Sequence, residues 1–284
     1  MFKNKKFHYP FLVILLVVVL LIWQAVFERT SDNFLKVTFF DVGQGDAIFI
    51  ETPNHRQILI DGGPDKTVLE KLGQAMLFYD RTIDLIILTH SDADHVAGLI
   101  EVLNYYQVKH ILTSGFEQDT AVYHKWRKLI SEKNIPLTIV QAGQKVILNK
   151  EIILEIFWPE QPMTGIKSAN NASVVGRLVY GQTEFLLTGD IDKKIEKILI
   201  RRNWNLESDV LKAAHHGSNT SSSDNFIKAV NPQVAIISVG ENNRYKHPHL
   251  DVLERLKDSV IHRTDKDGDI KISTDGVLFG VETD

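Results

Sequence analysis

The sequence predicts an α/β fold of two stacked sheets with helices on the outside. Two observations carry this expectation. Short apolar strands come first and helices then alternate with strands, and the same order restarts in the second half of the chain. The polar clusters also fall at the ends of apolar strands, which is where layered α/β folds build their sites. With 284 residues the chain is long enough for one large or two small domains, and its apolar and charged content is ordinary for a globular protein.

The N-terminus stands apart. Residues 1–10 carry Lys3, Lys5 and Lys6, and an apolar run follows over 11–27, interrupted by Gln24. As a helix of about 17 residues that run spans roughly 26 Å, near the minimum for a bilayer. The lysines orient it with a cytoplasmic N-terminus and the rest of the chain outside, and His8, Tyr9, Pro10 and Trp23 suit the membrane interfaces. A cleaved signal peptide is the rival reading, but residues 23–27 lack a small-x-small cleavage site. The expectation is an uncleaved transmembrane helix over 11–27, a linker over 28–33, and one extracellular domain over 34–284.

Within that domain, residues 35–40, 47–51 and 57–60 read as consecutive strands joined by tight turns. A helix over 68–78, an apolar strand over 84–88, a helix over 93–105 and a strand over 110–113 follow. Residues 121–132 read as a helix and 137–140 as extended. The second half opens with a meander over 145–148, 152–157, 173–180 and 184–187. Helices over 191–202, 222–230 and 249–257 then alternate with strands over 210–213, 234–239 and 260–263, and strands over 270–273 and 277–281 close the chain.

Net charge is −4, and three lysines belong to the N-terminal segment, so the outer domain is more acidic still. Such a surface does not attract nucleic acid or anionic lipid non-specifically. An acidic domain acts on a phosphodiester only where metal ions supply local positive charge. The chain has no cysteine, which excludes disulfides, a cysteine nucleophile and thiolate metal ligands.

The run Thr89-His90-Ser91-Asp92-Ala93-Asp94-His95 directly follows the apolar strand Leu85-Ile86-Ile87-Leu88. Its two imidazoles and two carboxylates suit a hard or borderline divalent ion such as zinc, manganese or iron. Packing these groups beside a core is costly unless a cation neutralises them. The plainer alternative is a polar turn in which Asp92 or Asp94 caps the next helix, but a cap needs one carboxylate. Asp41-Val42-Gly43-Gln44-Gly45-Asp46 and Asp61-Gly62-Gly63 also end strands, and each reads equally as a glycine-rich turn or as support for a metal site from behind.

Thr188-Gly189-Asp190 offers a carboxylate at a strand tip that suits either a metal bridge or a helix cap. His215-His216-Gly217-Ser218 follows another strand, and of two adjacent histidines at most one is an obvious ligand. His247-Pro248-His249 lies in a loop before a helix. Asp265-Lys266-Asp267-Gly268-Asp269 resembles part of a calcium loop but lacks the downstream bidentate Glu, so it reads as a hairpin turn. No phosphate-cradling glycine loop or nucleophile elbow is present, and no sequence feature pairs Ser173 with a base.

Taken in order, these clusters resemble the metallo-β-lactamase superfamily, and in particular the C-terminal metallo-β-lactamase-like domain of the ComEC family of DNA-uptake competence proteins. His90-Ser91-Asp92-Ala93-Asp94-His95 stands where that superfamily has His-x-His-x-Asp-His, with Asp92 in place of the second histidine. Asn170-Asn171-x-Ser173, Thr188-Gly189-Asp190, His215 to Ser218 and Tyr245-Lys246-His247-Pro248 extend the match over nearly the whole region after 34. The resemblance implies a four-layer αββα sandwich with two divalent metal ions, zinc or manganese, at one edge. By position His90 and Asp92 would bind one ion and Asp94 and His95 the other. Asp190 would bridge, and His216 or His215 would complete the set. The superfamily usually supplies one more histidine where this chain has Asn170 and Asn171, which shifts the preference toward manganese or magnesium. Asp41, Asp46, Asp61, Asn171 and Ser173 would support the centre or touch substrate. Asp94 would orient the attacking water if it is not itself a ligand, and His247 would bind phosphate or act as an acid.

The expected function is therefore a membrane-anchored extracytoplasmic metal-dependent hydrolase acting on a phosphodiester, with DNA the substrate the resemblance suggests. The alternatives are an enzyme for another envelope ester or a lactam on the same fold, and a non-catalytic metal-bearing module that binds DNA.

Overall fold

The computed structural model describes residues 8–29, 33–161, 163 and 166–284. The chain divides into two units, Met1–Asn33 and Phe34–Asp284. In the first, the helix α1 (His8–Arg29) contains the apolar run, and its residues from Tyr9 to Trp23 are exposed. Among the described residues no helix is long and apolar enough to cross a membrane. The expected basic segment at Lys3, Lys5 and Lys6, and linker positions 30–32, lie outside the described residues.

The second unit begins with β1 (Leu35–Phe39), β2 (Ile48–Glu51) and β3 (Gln57–Ile60), an antiparallel meander. After α2 (Thr67–Ala75) come the short β4 (Thr82–Ile83), then β5 (Leu85–Leu88), α3 (Ala93–Tyr105), the short β6 (Gln107–Val108), β7 (Ile111–Thr113), α4 (Ala121–Glu132) and β8 (Leu137–Ile139). The second half runs β9 (Lys145–Ile147), β10 (Ile152–Trp158), β11 (Val175–Tyr180), β12 (Thr183–Leu187), α5 (Lys193–Arg201), β13 (Val210–Lys212), α6 (Asp224–Val230), β14 (Val234–Ile237), α7 (Leu250–Arg255) and β15 (Val260–Arg263). A one-turn helix α8 (Thr264–Asp267) precedes β16 (Ile270–Thr274) and β17 (Phe279–Thr283).

One sheet has the order β17-β16-β1-β2-β3-β5-β7-β8 and the other β15-β14-β13-β12-β11-β10-β9, while β4 and β6 pair apart. Period-two alternation explains how the layers form. Along β5, Leu85 and Ile87 join the core between the sheets, whereas Ile86 and Leu88 face the cluster that contains Val96 and Leu99 of α3 and Trp126 of α4. The second sheet does the same. Phe185 and Leu187 of β12 point into the shared core, and Leu186 packs with Ile195 and Leu199 of α5. Strands buried on both faces, with helices on either side, make the four layers αββα.

The segment 265–269 corrects one expectation. It is no hairpin turn, because β15 pairs in parallel with β14 at the edge of the second sheet while β16 pairs antiparallel with β1 in the first. The helix α8 carries the chain across from one sheet to the other. The helix expected over 68–78 also ends early, at Ala75, because the backbone turns extended at Met76 and Leu77 and Phe78 stand exposed.

Candidate metal centre

The site forms where several strand ends meet. β5 delivers Thr89 and His90, β1 and β3 deliver the loops to Asp46 and Asp61, β12 delivers Asp190, and β13 delivers the turn to His216. The loops of the first sheet are laced onto the start of α3: Gly62 N donates to His95 O at 2.8 Å, Gly98 N to Gly63 O at 3.0 Å, and Asp46 N to Asp94 O at 3.4 Å. Glycine is required at two of these crossings. A Cβ on Gly98 would lie 1.8 Å from Gly62 O, and one on Gly45 would lie 2.2 Å from Asp94 O.

Three imidazoles are held in the same tautomer by what touches Nδ1. His95 Nδ1 lies 2.8 Å from Asp61 Oδ2, and His216 Nδ1 lies 2.8 Å from the Ser238 carbonyl, which only accepts. Thr89 Oγ1 donates to Asp61 Oδ2 at 2.5 Å, so His90 Nδ1, 3.0 Å from that hydroxyl, is the donor there. Each ring is thereby left with a lone pair on Nε2, the form a metal ligand needs. All three Nε2 atoms, and Asp46 Oδ1, are buried with no hydrogen-bond partner among the described residues. Buried polar atoms are seldom left so.

These atoms converge. The ligand atoms of His90, His95 and Asp190 lie within 4.8 Å of one another, as do those of Asp94, His95 and His216, and those of Asp46, Asp190 and His216. Asp190 Oδ2 is 3.4 Å from His95 Nε2 and 3.2 Å from His216 Nε2, and Asp94 Oδ2 is 3.6 Å from His216 Nε2. The donor set of imidazole nitrogens and carboxylates fits divalent ions.

The electrostatics agree with a cation-binding pocket. Burial would raise the Asp190 carboxyl, but His216, His95 and Lys212 outweigh it and hold the group well below its ordinary range. Burial likewise opposes charge on His95, yet Asp190 and Asp61 push its pKa well above the usual value, and Asp190 and Asp46 push His216 up to about 9. His90 goes the other way, lowered by burial and by the His95 charge. The carboxylates thus favour a positive charge at the His95 and His216 Nε2 atoms, and a proton and a metal ion compete for that place.

The other expected residues are distributed around this centre. Asp92 sits at the N-cap position of α3 without capping it, and its carboxylate lies 3.7 Å from His90 Nε2 and accepts from Gln118 Nε2 at 3.2 Å. Ser173 Oγ lies 3.3 Å from His90 Nδ1 and accepts from Asp190 N at 3.0 Å, so it braces both. His216 rather than His215 enters the cluster, because both residues take left-handed backbone angles (φ 53° and 54°) that turn the two rings to different sides. His215 Nε2 instead contacts Asn170 Nδ2 at 3.3 Å.

Two candidates are turned to local duties. Asp41 accepts from Gly43 N within its own turn, and its N–H donates to Asp269. Asn171 bonds Asp192, the cap of α5. His247 stands further out, its ring 5.7 Å from that of His215 and stacked on Tyr245 at 5.6 Å. A cavity of about 420 Å³ is lined by Asp94 together with Gln44, Pro64, Ala93, Arg244 and Tyr245.

The sequence reading missed Lys212. Its ammonium contacts Asp46 Oδ2 and lies 3.5 Å from Asp190 Oδ1, wholly buried. The signal was a lysine inside the apolar strand Val210-Leu211-Lys212-Ala213, where a charge persists only if paired.

Comparison with known proteins agrees with this architecture. The family pattern described as the metallo-beta-lactamase superfamily matches residues 40–241. The chain belongs to the metallo-beta-lactamase superfamily. Among curated proteins it is similar to ComE operon protein 3 of Bacillus subtilis, 34% identical over 83% of this chain, and to competence protein ComA of Neisseria gonorrhoeae, 32% identical over 85%. Each match covers 32% of the relative, so this superfamily member spans about a third of the length of either. Two solved structures share the fold. The metallo-beta-lactamase fold protein YhfI of Bacillus subtilis has a TM-score of 0.52 at 14% identity, covering 80% of this chain and 96% of that one. The metallo hydrolase Igni18 of Ignicoccus hospitalis has 0.51 at 16%, covering 84% and 98%.

Proposed function

We propose that this chain is a metal-dependent phosphodiesterase of the nuclease type, related to the competence proteins it resembles and anchored to the membrane with its catalytic domain outside the cell. The observation that carries the reaction class is the convergence of His90, Asp94, His95, Asp190 and His216, with Asp92 at the rim, beside an open cavity. Divalent ions bound there would make a water nucleophilic near neutral pH and neutralise charge on the phosphoryl oxygens.

The chain's own residues supply the rest. His95, His216 and His90 present Nε2, each fixed by its Nδ1 partner. Burial favours the neutral Asp94 carboxyl, but the His216 imidazole and the His95 charge outweigh it and hold the group well below the usual range, so it stays an acceptor at the cavity wall. His247 is lowered to about 4 by burial and by the positive potential of His215 and His216. At neutral pH it is an uncharged imidazole, suited to hydrogen-bond a phosphate or leaving-group oxygen rather than to give up a proton as imidazolium. Arg244 lines this cavity over the Tyr245 ring, a guanidinium suited to a phosphate.

Location rests on the sequence: the apolar run over 11–27 and the lysines before it support a single span with a cytoplasmic N-terminus. DNA is the substrate favoured by similarity to proteins named for competence.

The test uses the full chain with bis-p-nitrophenyl phosphate and single-stranded DNA, each with zinc, manganese or magnesium. Metal-dependent turnover is expected, and Asp190→Ala should lower it by at least about 100-fold. Undiminished turnover in that variant, or none in a metal-loaded wild type, defeats the reading.

A further inference from the structure

Lys212 is the one buried lysine in this carboxylate cluster among the described residues, and it divides Asp190 in two. Oδ1 faces the Lys212 ammonium at 3.5 Å, while Oδ2 faces His95 and His216 at 3.4 and 3.2 Å. The same ammonium contacts Asp46 Oδ2 and donates to the Gly189 carbonyl at 3.3 Å, so it is held from three directions. We propose that Lys212 is a built-in cation that restricts Asp190 to a single ligating oxygen and thereby makes the centre unequal, with one tightly held divalent ion and a second held weakly.

The two halves of the site differ in the expected sense. On one side Asp94, His95 and His216 accompany Asp190 Oδ2, and Asp61 and the Ser238 carbonyl orient the two rings. On the other, His90 shares His95 and Asp190 and adds only Asp92, 3.7 Å from its Nε2. Asp92 spends one oxygen on Gln118, and Ser173 Oγ is engaged by His90 Nδ1 and Asp190 N. A fixed positive charge against the shared carboxylate costs the second ion most, because that ion has the fewest other anionic ligands. The inference rests on the metal centre of the proposed function but not on its substrate.

The experiment is a manganese(II) titration of the metal-stripped full chain, read by the paramagnetic resonance of free manganese and by calorimetry, with no substrate present. The wild type is expected to bind in two separated steps. Lys212→Met, which keeps the length and removes the charge, is expected to tighten the second step by about tenfold or more relative to the first. Because Lys212→Met leaves Asp46 buried and unpaired, Lys212→Met/Asp46→Asn is measured alongside it. The double variant keeps the local net charge and still frees Asp190 Oδ1, so a tightened second step is expected there too. Both steps weakening in parallel with thermal stability would mean that the lysine only holds the fold, and would overturn the proposal. Unchanged steps in both variants would overturn it as well. A wild type that binds no manganese would defeat the metal centre itself, an outcome distinguishable from the others.

Discussion

At the scale of single residues, the centre is made by what stands behind the ligands. Asp61 is wholly buried, accepts from Thr89 twice and holds His95 Nδ1 at 2.8 Å. Asp61→Asn, which tolerates the same left-handed backbone (φ 58°), should lower metal affinity by about 10–100-fold, because the ring loses its anionic partner. Calorimetric titration checks this, and an unchanged affinity would show that the pair only stabilises the loop. Residues of this kind set the limit of what the sequence discloses. His90, Asp94 and His95 are legible because they cluster just after an apolar strand, whereas Asp190, a lone carboxylate at a strand tip, is marked only by the family resemblance. His216 cannot be chosen over His215 without the left-handed turn. Lys212 is hidden because its partner Asp46 is far away in the chain and reaches it only through the fold. Asp41 and Asn171 look like site residues, yet a turn and a helix cap consume them.

At the scale of elements, periodicity locates the long segments and leaves their joints unread. The helix over 121–132 matches α4 to the residue, since Thr120 caps it by accepting from Tyr123 N. The strands β4 and β6 are two residues each and have no period to read. The joint between α5 and α6 has a chemistry of its own. Glu196 of α5 is buried and accepts the N–H groups of Ser222 and Ser223 at the head of α6. Glu196→Ala leaves those donors without a partner and should cost about 1–3 kcal/mol in urea unfolding. Burial raises the Glu196 carboxyl above its ordinary value of 4.5. The folded state therefore holds this proton more firmly than the unfolded chain, and the associated stability is present at low pH and lost as pH rises through the raised value. The stability of the wild type relative to Glu196→Gln should accordingly decline from pH 4.5 upward. A difference independent of pH would contradict the assignment.

At the scale of the whole molecule, the proposed anchor predicts that the full chain stays with membranes through alkaline carbonate washing and that protease outside intact cells reaches the domain beginning at residue 34. Release by the wash would remove the anchor from the account. The layered architecture is readable from the sequence because both halves repeat strands and then alternating helices. The return of the C-terminus to the first sheet is not, because strand pairing across most of the chain leaves no local mark. That return has a consequence for how the molecule comes into being. β1 lies between β2 and β16, Leu35 opposite Thr274, and the Asp41 N–H is tied to Asp269, 228 residues onward. The strand that leaves the ribosome first in this domain waits for a neighbour made almost last, and contacts so distant in the chain form slowly. A domain exported as a thread would therefore keep its first sheet open until β16 had been delivered, and the metal ligands at the ends of β5 and β12 would be gathered only on the far side.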